Sequence, residues 1–363
     1  MNFDAIMLCS YGGPRGMDDV LPFMRNATRG RGVPDERLIQ VSGHYKLFNG
    51  VSPINARNEE LRAAIAQRVE VPVVIGNRNW SPYFVQTLAE LDQRGLHRVL
   101  CVFTSAFASY SGCRQYREDI AAAVIEIGAQ DRFQLFKIPP YYEADGFLAA
   151  NVSAAYAAME GDDDAHLLLV THSIPVVMNE NSGPASAKKT YLEQHRALGQ
   201  KLCSELSEKL GRKIDCDLAF CSRSGPAHQK WLEPDINDRL HELSEQGVRS
   251  VVVLPFGFIT DHMEVVYDLD TEARNTAAEL GMRFQRAATA GTNVDFVDSL
   301  VKLINGAAER VNTAQRGEQQ RGEVSWPAHC ETNCCLPCDG YQLRATEFDQ
   351  ISAPDPRERK NHV

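Results

Sequence analysis

Short, apolar, strand-like runs recur along this chain at Ala5–Cys9, Pro72–Gly76, Arg98–Phe103, Phe133–Lys137, His166–Thr171, Cys216–Phe220 and Ser250–Pro255. In most of them the apolar residues are consecutive rather than alternating, which fits burial on both faces. Between them lie longer amphipathic stretches with helical periodicity, including Asn58–Val69, Tyr83–Arg94, Tyr116–Ile127 and Thr190–Leu210. Burial on both faces is satisfied when the strands lie parallel and the intervening helices cover the sheet on each side. The predicted fold class is α/β, with parallel sheets flanked by helices. A length of 363 residues accommodates two such units.

The pattern fades after about Asn312. Residues 313–321 are polar and linker-like, a cysteine cluster follows, and the charged end Ala353–Val363 has the composition of a disordered tail. The formal net charge of −10, with no basic stripe, argues against a nucleic-acid partner. No apolar run approaches the ~18 residues of a membrane span, and the N-terminus lacks the basic region of a signal peptide. The expected location is the cytoplasm, where structural disulfides are not normally kept. A cluster such as Cys330, Cys334, Cys335 and Cys338 then reads as a metal centre or redox device.

In open parallel sheets, ligands bind outside the carboxyl ends of the strands. Three unusual segments fall there: Ser10–Pro14 (SYGGP), Thr171–Pro175 (THSIP) and Phe256–Asp270. His172, directly after an apolar strand, can accept a proton or bind a metal, against the plainer reading of a core or capping histidine. Glu264, Asp268 and Glu272 are spaced i, i+4 and i+8, which stacks three carboxylates along one helix face. Such carboxylates repel unless a proton or cation bridges them, and they suit a path for a divalent metal. Tyr11, followed by Gly12 and Gly13, marks a turn where a ligand can approach the backbone. The loop Asn26–Gly32 carries Arg29 and Arg31, and His44, Tyr45, Lys46 and Ser52 follow. Arginines at a cleft mouth bind carboxylates in bidentate fashion.

Taken together, SYGGP, YKLFNGVSPIN (Tyr45–Asn55), THSIP, KWLEPD (Lys230–Asp235) and GFITDHMEVVYDLDTEA (Gly257–Ala273) resemble the hallmark segments of ferrochelatases, from Ala5 to about Leu303. The resemblance implies two Rossmann-like domains with a porphyrin cleft between them. The first would cover 1–114 and be completed by a C-terminal helix near 288–312. The second would cover 115–287 and carry His172 and Glu264, and 313–363 would form a cysteine-rich extension. It further implies that His172 removes pyrrole protons or meets the metal and that Glu264 is its partner carboxylate. Asp268 and Glu272 would extend the metal path, and Tyr11 would lie on the opposite porphyrin face.

Membrane-associated ferrochelatases carry a hydrophobic lip where this chain has Phe23–Gln40, a short, polar, arginine-rich stretch. That favours a substrate with four propionates, coproporphyrin III, over protoporphyrin IX with two. The product would be coproheme, for heme biosynthesis. By similarity to the soluble, actinobacterial-type members, Arg29, Arg31, Ser52 and Tyr116 become the expected propionate contacts. Transient encounters with neighbouring enzymes of heme synthesis are also expected. Cys330-x4-Cys335-x2-Cys338 reproduces a plant-type 2Fe–2S spacing, which needs a distant fourth cysteine. Cys113, in Tyr110–Tyr116, resembles the position of that ligand in family members with such a cluster. Cys334 competes for one tail position, and a zinc site is the alternative. The competing functions are a protoporphyrin ferrochelatase, a non-catalytic tetrapyrrole binder or heme chaperone with a redox-sensing cluster, and a cobalt or nickel chelatase.

Overall fold

The apolar runs assemble into two four-stranded parallel sheets in a computed structural model of the chain. The structure describes residues 3–30, 32–183, 190–225, 228–315 and 334–337. Arg31, Cys330 and Cys338 therefore lie outside the described residues, as do most of the extension and the charged tail.

The first sheet contains β1 (Ala5–Ser10), β2 (Val73–Asn77), β3 (Arg98–Phe103) and β4 (Gln134–Lys137), in the order β2-β1-β3-β4. The second contains β5 (His166–His172), β6 (Cys216–Cys221), β7 (Ser250–Leu254) and β8 (Arg283–Arg286), in the order β6-β5-β7-β8. The two orders are the same, so the halves repeat one topology that the residues themselves do not display. The first sheet takes its fourth strand from beyond residue 114, because β4 pairs with β3.

The connecting helices are α1 (Met17–Ala27), α2 (Asp35–Lys46), α3 (Ile54–Ala66), α4 (Phe84–Gln93) and α5 (Gln115–Glu126) in the first half. Then come α6 (Asp145–Met159), α7 (Val176–Glu180), α8 (Tyr191–Leu210), α9 (Ile236–Glu245), α10 (Arg274–Glu279) and α11 (Val294–Gln315). Among the described residues, two further helical segments, Tyr110–Arg114 and Val265–Ala273, are π-helical. Local sequence explains the ends of α8. Thr190 and Glu193 cap each other's backbone N–H at its start, and Gly211, at φ +67°, turns the chain out of it.

One continuous core joins the halves. Ile6 and Leu8 of β1, Leu167 and Leu169 of β5, and Phe296 and Leu300 of α11 all belong to it. The outer faces have cores of their own, built against α4 and α5 on the first sheet and against α9 and the Val265–Ala273 helix on the second. Val20, Phe23, Met24 and Leu38 form a small separate core under the lip made by α1 and α2. A disulfide, Cys203–Cys216, ties α8 to β6, a pairing not expected from the cysteine distribution; α8 lies over β6 and brings the two Cα atoms to 6.8 Å. Among the described residues, no helix is long and apolar enough to cross a membrane.

Candidate active site

The strand order reverses between β1 and β3 and again between β5 and β7, the positions where α/β sheets open a crevice. Tyr11 follows β1, Cys113 follows β3, His172 ends β5, and Glu264 follows β7. Tyr11, Cys113, His172 and Glu264 thus come from the two reversal points, whereas Arg29 and Ser52 come from the segments around α1 and α2.

His172 is the last residue of β5, in register with Cys221 of β6. Its Nδ1 bonds the Ser173 carbonyl oxygen, so Nδ1 carries a proton and Nε2 is left to act. Nε2 lies 3.5 Å from Oε2 of Glu264. Burial works against charging this imidazole, but Glu264, the Ser173 carbonyl and Asp268 outweigh it and hold its pKa above the ordinary value. The backbone beneath is fixed by a buried network. Burial pushes His195 down to about 3, and this neutral ring donates Nδ1–H to the Tyr191 carbonyl at 2.7 Å. Its Nε2 accepts from the Thr171 hydroxyl at 2.9 Å, and the Tyr191 hydroxyl donates to the His172 carbonyl at 3.1 Å. Gly257 allows the β7 loop to approach, since a Cβ there would sit 2.0 Å from Thr171 Oγ1.

The acidic ladder lies on a helix, as its spacing predicts, but the helix from Val265 to Ala273 is of the π type, with Glu264 at its N-cap. Such turns concentrate at functional sites. Glu264 and Glu272 are exposed and Asp268 is half-buried. Burial, with Glu264 and Glu272 as like-charged neighbours, raises Asp268 to about 7 despite a hydrogen bond from Ser222. His262, which the sequence reading passed over, is a second imidazole at this carboxylate: its Nδ1 lies 3.8 Å from Glu264 Oε2 and accepts the Glu264 N–H at 3.3 Å. Burial keeps its pKa below the usual value.

Tyr11 is at the cleft surface, 36% exposed, edge-on to Phe23. Behind it, the Arg78 guanidinium lies 5.7 Å from the Tyr11 ring and 4.9 Å from the Tyr116 ring, and pairs with Asp119 at 2.7 Å. Tyr116 is itself buried and stacked on Phe103. Ser52 is buried against Gly13, with its N–H bonded to the Pro14 carbonyl, and Arg29 is exposed on the lip, bonded to Asn26. The lip is less polar than its sequence suggests: Met17, Ile39, Leu47 and Val51 are exposed around it. His44 of α2 stacks on Tyr267 of the acidic helix at 4.0 Å, so the lip touches the second half directly.

The thiols form a second centre. Cys113, in the π-helical turn Tyr110–Arg114, is buried beside Cys334 and Cys335. Cys335 Sγ is 3.6 Å from Cys334 Sγ and receives the Gly183 N–H at 3.4 Å. Hydrogen bonding with Cys113 and Cys334, together with burial, holds its thiol well above the ordinary range. Arg114, held by Glu118, donates to the Cys334 carbonyl at 3.1 Å, and Asn181 donates to the Pro337 carbonyl at 3.3 Å. Converging buried thiols with an N–H aimed at sulfur suit a soft, thiolate-bound metal group. Among the described residues, no three His, Cys, Asp or Glu side chains already stand at metal-binding geometry.

Two parallel sheets of one topology, meeting at a histidine and an acidic helix, define a chelatase-type fold. The sirohydrochlorin chelatase SirB of Bacillus subtilis subspecies spizizenii, solved in complex with cobalt, has the same architecture: the TM-score is 0.50 at 12% identity, covering 85% of this chain and 97% of that one. The family model for ferrochelatase matches residues 3–308. The chain is 41% identical over 357 residues to the coproporphyrin III ferrochelatase of Leifsonia xyli, covering 92% of this chain and 91% of that protein. It is 42% identical over 340 residues to the coproporphyrin III ferrochelatase of Propionibacterium freudenreichii, covering 92% and 94%. This chain belongs to the ferrochelatase family.

Proposed function

We propose that this chain inserts Fe²⁺ into coproporphyrin III to make coproheme. The observation that carries the reading is the pairing of His172 Nε2 with the Glu264 carboxylate at 3.5 Å, at the strand-order reversal of the second sheet. Insertion exchanges one Fe²⁺ for two pyrrole protons, so the site needs a base and a route for the ion. In the tautomer set by Ser173, Nε2 of His172 takes the two pyrrole protons in turn and passes each to Glu264 before the next is removed. Glu264 is exposed and releases the proton to solvent. Asp268 and Glu272 escort the ion, replacing part of its hydration with carboxylate oxygens. Tyr11 faces the ring from the opposite side. Arg29 and Arg31 contact the propionates, and Ser52 and Tyr116, both buried, shape the wall behind them. The cleft holds the macrocycle bent, which exposes the pyrrole lone pairs and draws on binding energy from the periphery.

Coproporphyrin III is preferred to protoporphyrin IX because the stretch Phe23–Gln40 carries Arg29 and Arg31, cations that suit additional propionates, and the named relatives point the same way. Anaerobic insertion assays with the two porphyrins side by side test this choice. The expected result is a higher kcat/KM with coproporphyrin III, and the reverse order would overturn it.

The thiol centre is read as a 2Fe–2S site held by Cys113, Cys335, Cys330 and Cys338, with Cys334 as the alternative tail ligand. Support comes from the C-x4-C-x2-C spacing and from the buried approach of Cys335 to Cys113. When bound, such a cluster supplies one-electron redox capacity and a covalent staple; iron insertion itself transfers no net electrons. The chain's own contribution is to bury the sulfurs of Cys113 and Cys335, aim the Gly183 N–H at Cys335, and hold Cys334 and Pro337 through Arg114 and Asn181.

A further inference from the structure

Ser222 is the first residue after β6, where the backbone ladder still holds the chain against the active-site strand. Cys221 is the register partner of His172, and the Ser173 N–H bonds the Cys221 carbonyl at 2.8 Å. The chain then turns sharply, and Ser222 adopts φ +63°. Glycine takes up this left-handed conformation freely, whereas serine does so only at a cost. The backbone alone therefore calls for glycine, and what serine adds is a hydroxyl. That hydroxyl donates to Oδ2 of Asp268, and the Ser222 Oγ itself lies 3.4 Å from Cys221 Sγ. The other carboxylate oxygen of Asp268 has no hydrogen-bond partner among the described residues. Asp268 also faces two like charges, Glu264 and Glu272, which would turn a free carboxylate away from the ladder.

We propose that Ser222 is a positioning residue for iron delivery: its hydroxyl occupies one oxygen of Asp268 and fixes the other to hand Fe²⁺ toward Glu264 and His172. The proposal rests on the reading of the acidic helix as the metal path. It assigns the strained turn after β6 to metal affinity rather than to proton removal or porphyrin binding.

Two variants separate this role from a structural one. Ser222→Gly removes the donor and relaxes the backbone. Ser222→Asn tolerates the left-handed conformation and restores a donor. Both are assayed anaerobically at saturating porphyrin with Fe²⁺ varied. The Gly variant should melt at or above the parent's temperature, raise the Fe²⁺ KM about tenfold, and leave kcat within about threefold and the porphyrin KM within about twofold, as loss of one hydrogen bond to a charged group implies. The Asn variant should return the Fe²⁺ KM to within about threefold of the parent. A Gly variant whose Fe²⁺ KM stays within about twofold of the parent's overturns the proposal, as do equal changes in the KM values for iron and porphyrin. If the parent inserts no iron, the functional reading fails instead. The proposal is then decided by titrating Mn²⁺, which prefers oxygen ligands to thiolates, without porphyrin: weaker binding in the Gly variant sustains it and unchanged binding overturns it.

Discussion

His172, at the end of β5, faces Glu264, at the N-cap of the helix that follows β7, with Nε2 and Oε2 3.5 Å apart. The distance is long for a hydrogen bond but short for a charge interaction, so the carboxylate tunes the imidazole without locking it. His262 approaches the same carboxylate at 3.8 Å, which places one anion between two histidines.

The tuning has a sign that can be measured. His172 is held above the ordinary imidazole pKa chiefly because Glu264, with Ser173 and Asp268, overcomes the lowering by burial. Glu264→Gln removes the largest raising influence and leaves the burial. The His172 pKa should therefore fall, which NMR titration of the imidazole in parent and variant will read. A pKa that stays put or rises contradicts the pairing. In the parent, His172 must be neutral to act as a base and Asp268, near 7, must be ionised to hold a cation. Insertion should accordingly increase as pH rises through neutrality.

The close approach of Gly257 to Thr171 gives a second prediction. An added methyl at 257 would lie 2.0 Å from Thr171 Oγ1, inside the network that holds the His172 backbone. Gly257→Ala should lower stability by about 1–3 kcal/mol in denaturant titrations, as overpacking typically does. It should also reduce kcat more than it changes the porphyrin KM, because the strain falls next to His172. Unchanged stability and turnover would show that the β7 loop is not constrained there.

The thiol assignment predicts a brown protein with about two irons and two acid-labile sulfides per chain. Cys113→Ser and Cys335→Ser should bleach it, whereas Cys334→Ser should leave it coloured. Bleaching by the Cys334 substitution would move that residue into the ligand set, a change its 3.6 Å approach to Cys335 could accommodate. Anaerobically prepared protein that contains zinc and no sulfide would make the tail a zinc site.

Much of this architecture is legible in the residues, for physical reasons. The strands announce themselves because parallel strands are apolar on both faces; Arg98–Phe103 has the same limits in sequence and structure, and β5 runs one residue further, to His172 itself. β8 escapes notice because it is an edge strand, RFQR, with two of its four residues exposed. His172 and the acidic ladder stand out because strand ends and i, i+4 spacing are local signals. Ser222 and His262 do not, since their roles depend on which loops meet across the sheet. The only local hint for His262 is its place two residues before Glu264. Tyr116 shows the same limit: similarity to the soluble members of the family suggests a propionate contact, yet the face of α5 it occupies packs under Arg78 and against Phe103.

The most direct test of the account is His172→Ala, measured in one experiment for anaerobic Fe²⁺ insertion into coproporphyrin III and for binding of the free porphyrin. The account predicts that insertion falls by ~10²–10⁴-fold, the usual loss for a positioned base, while porphyrin affinity stays within a few-fold of the parent. Insertion within about twofold of the parent would contradict it, because the proton route would then not pass through His172.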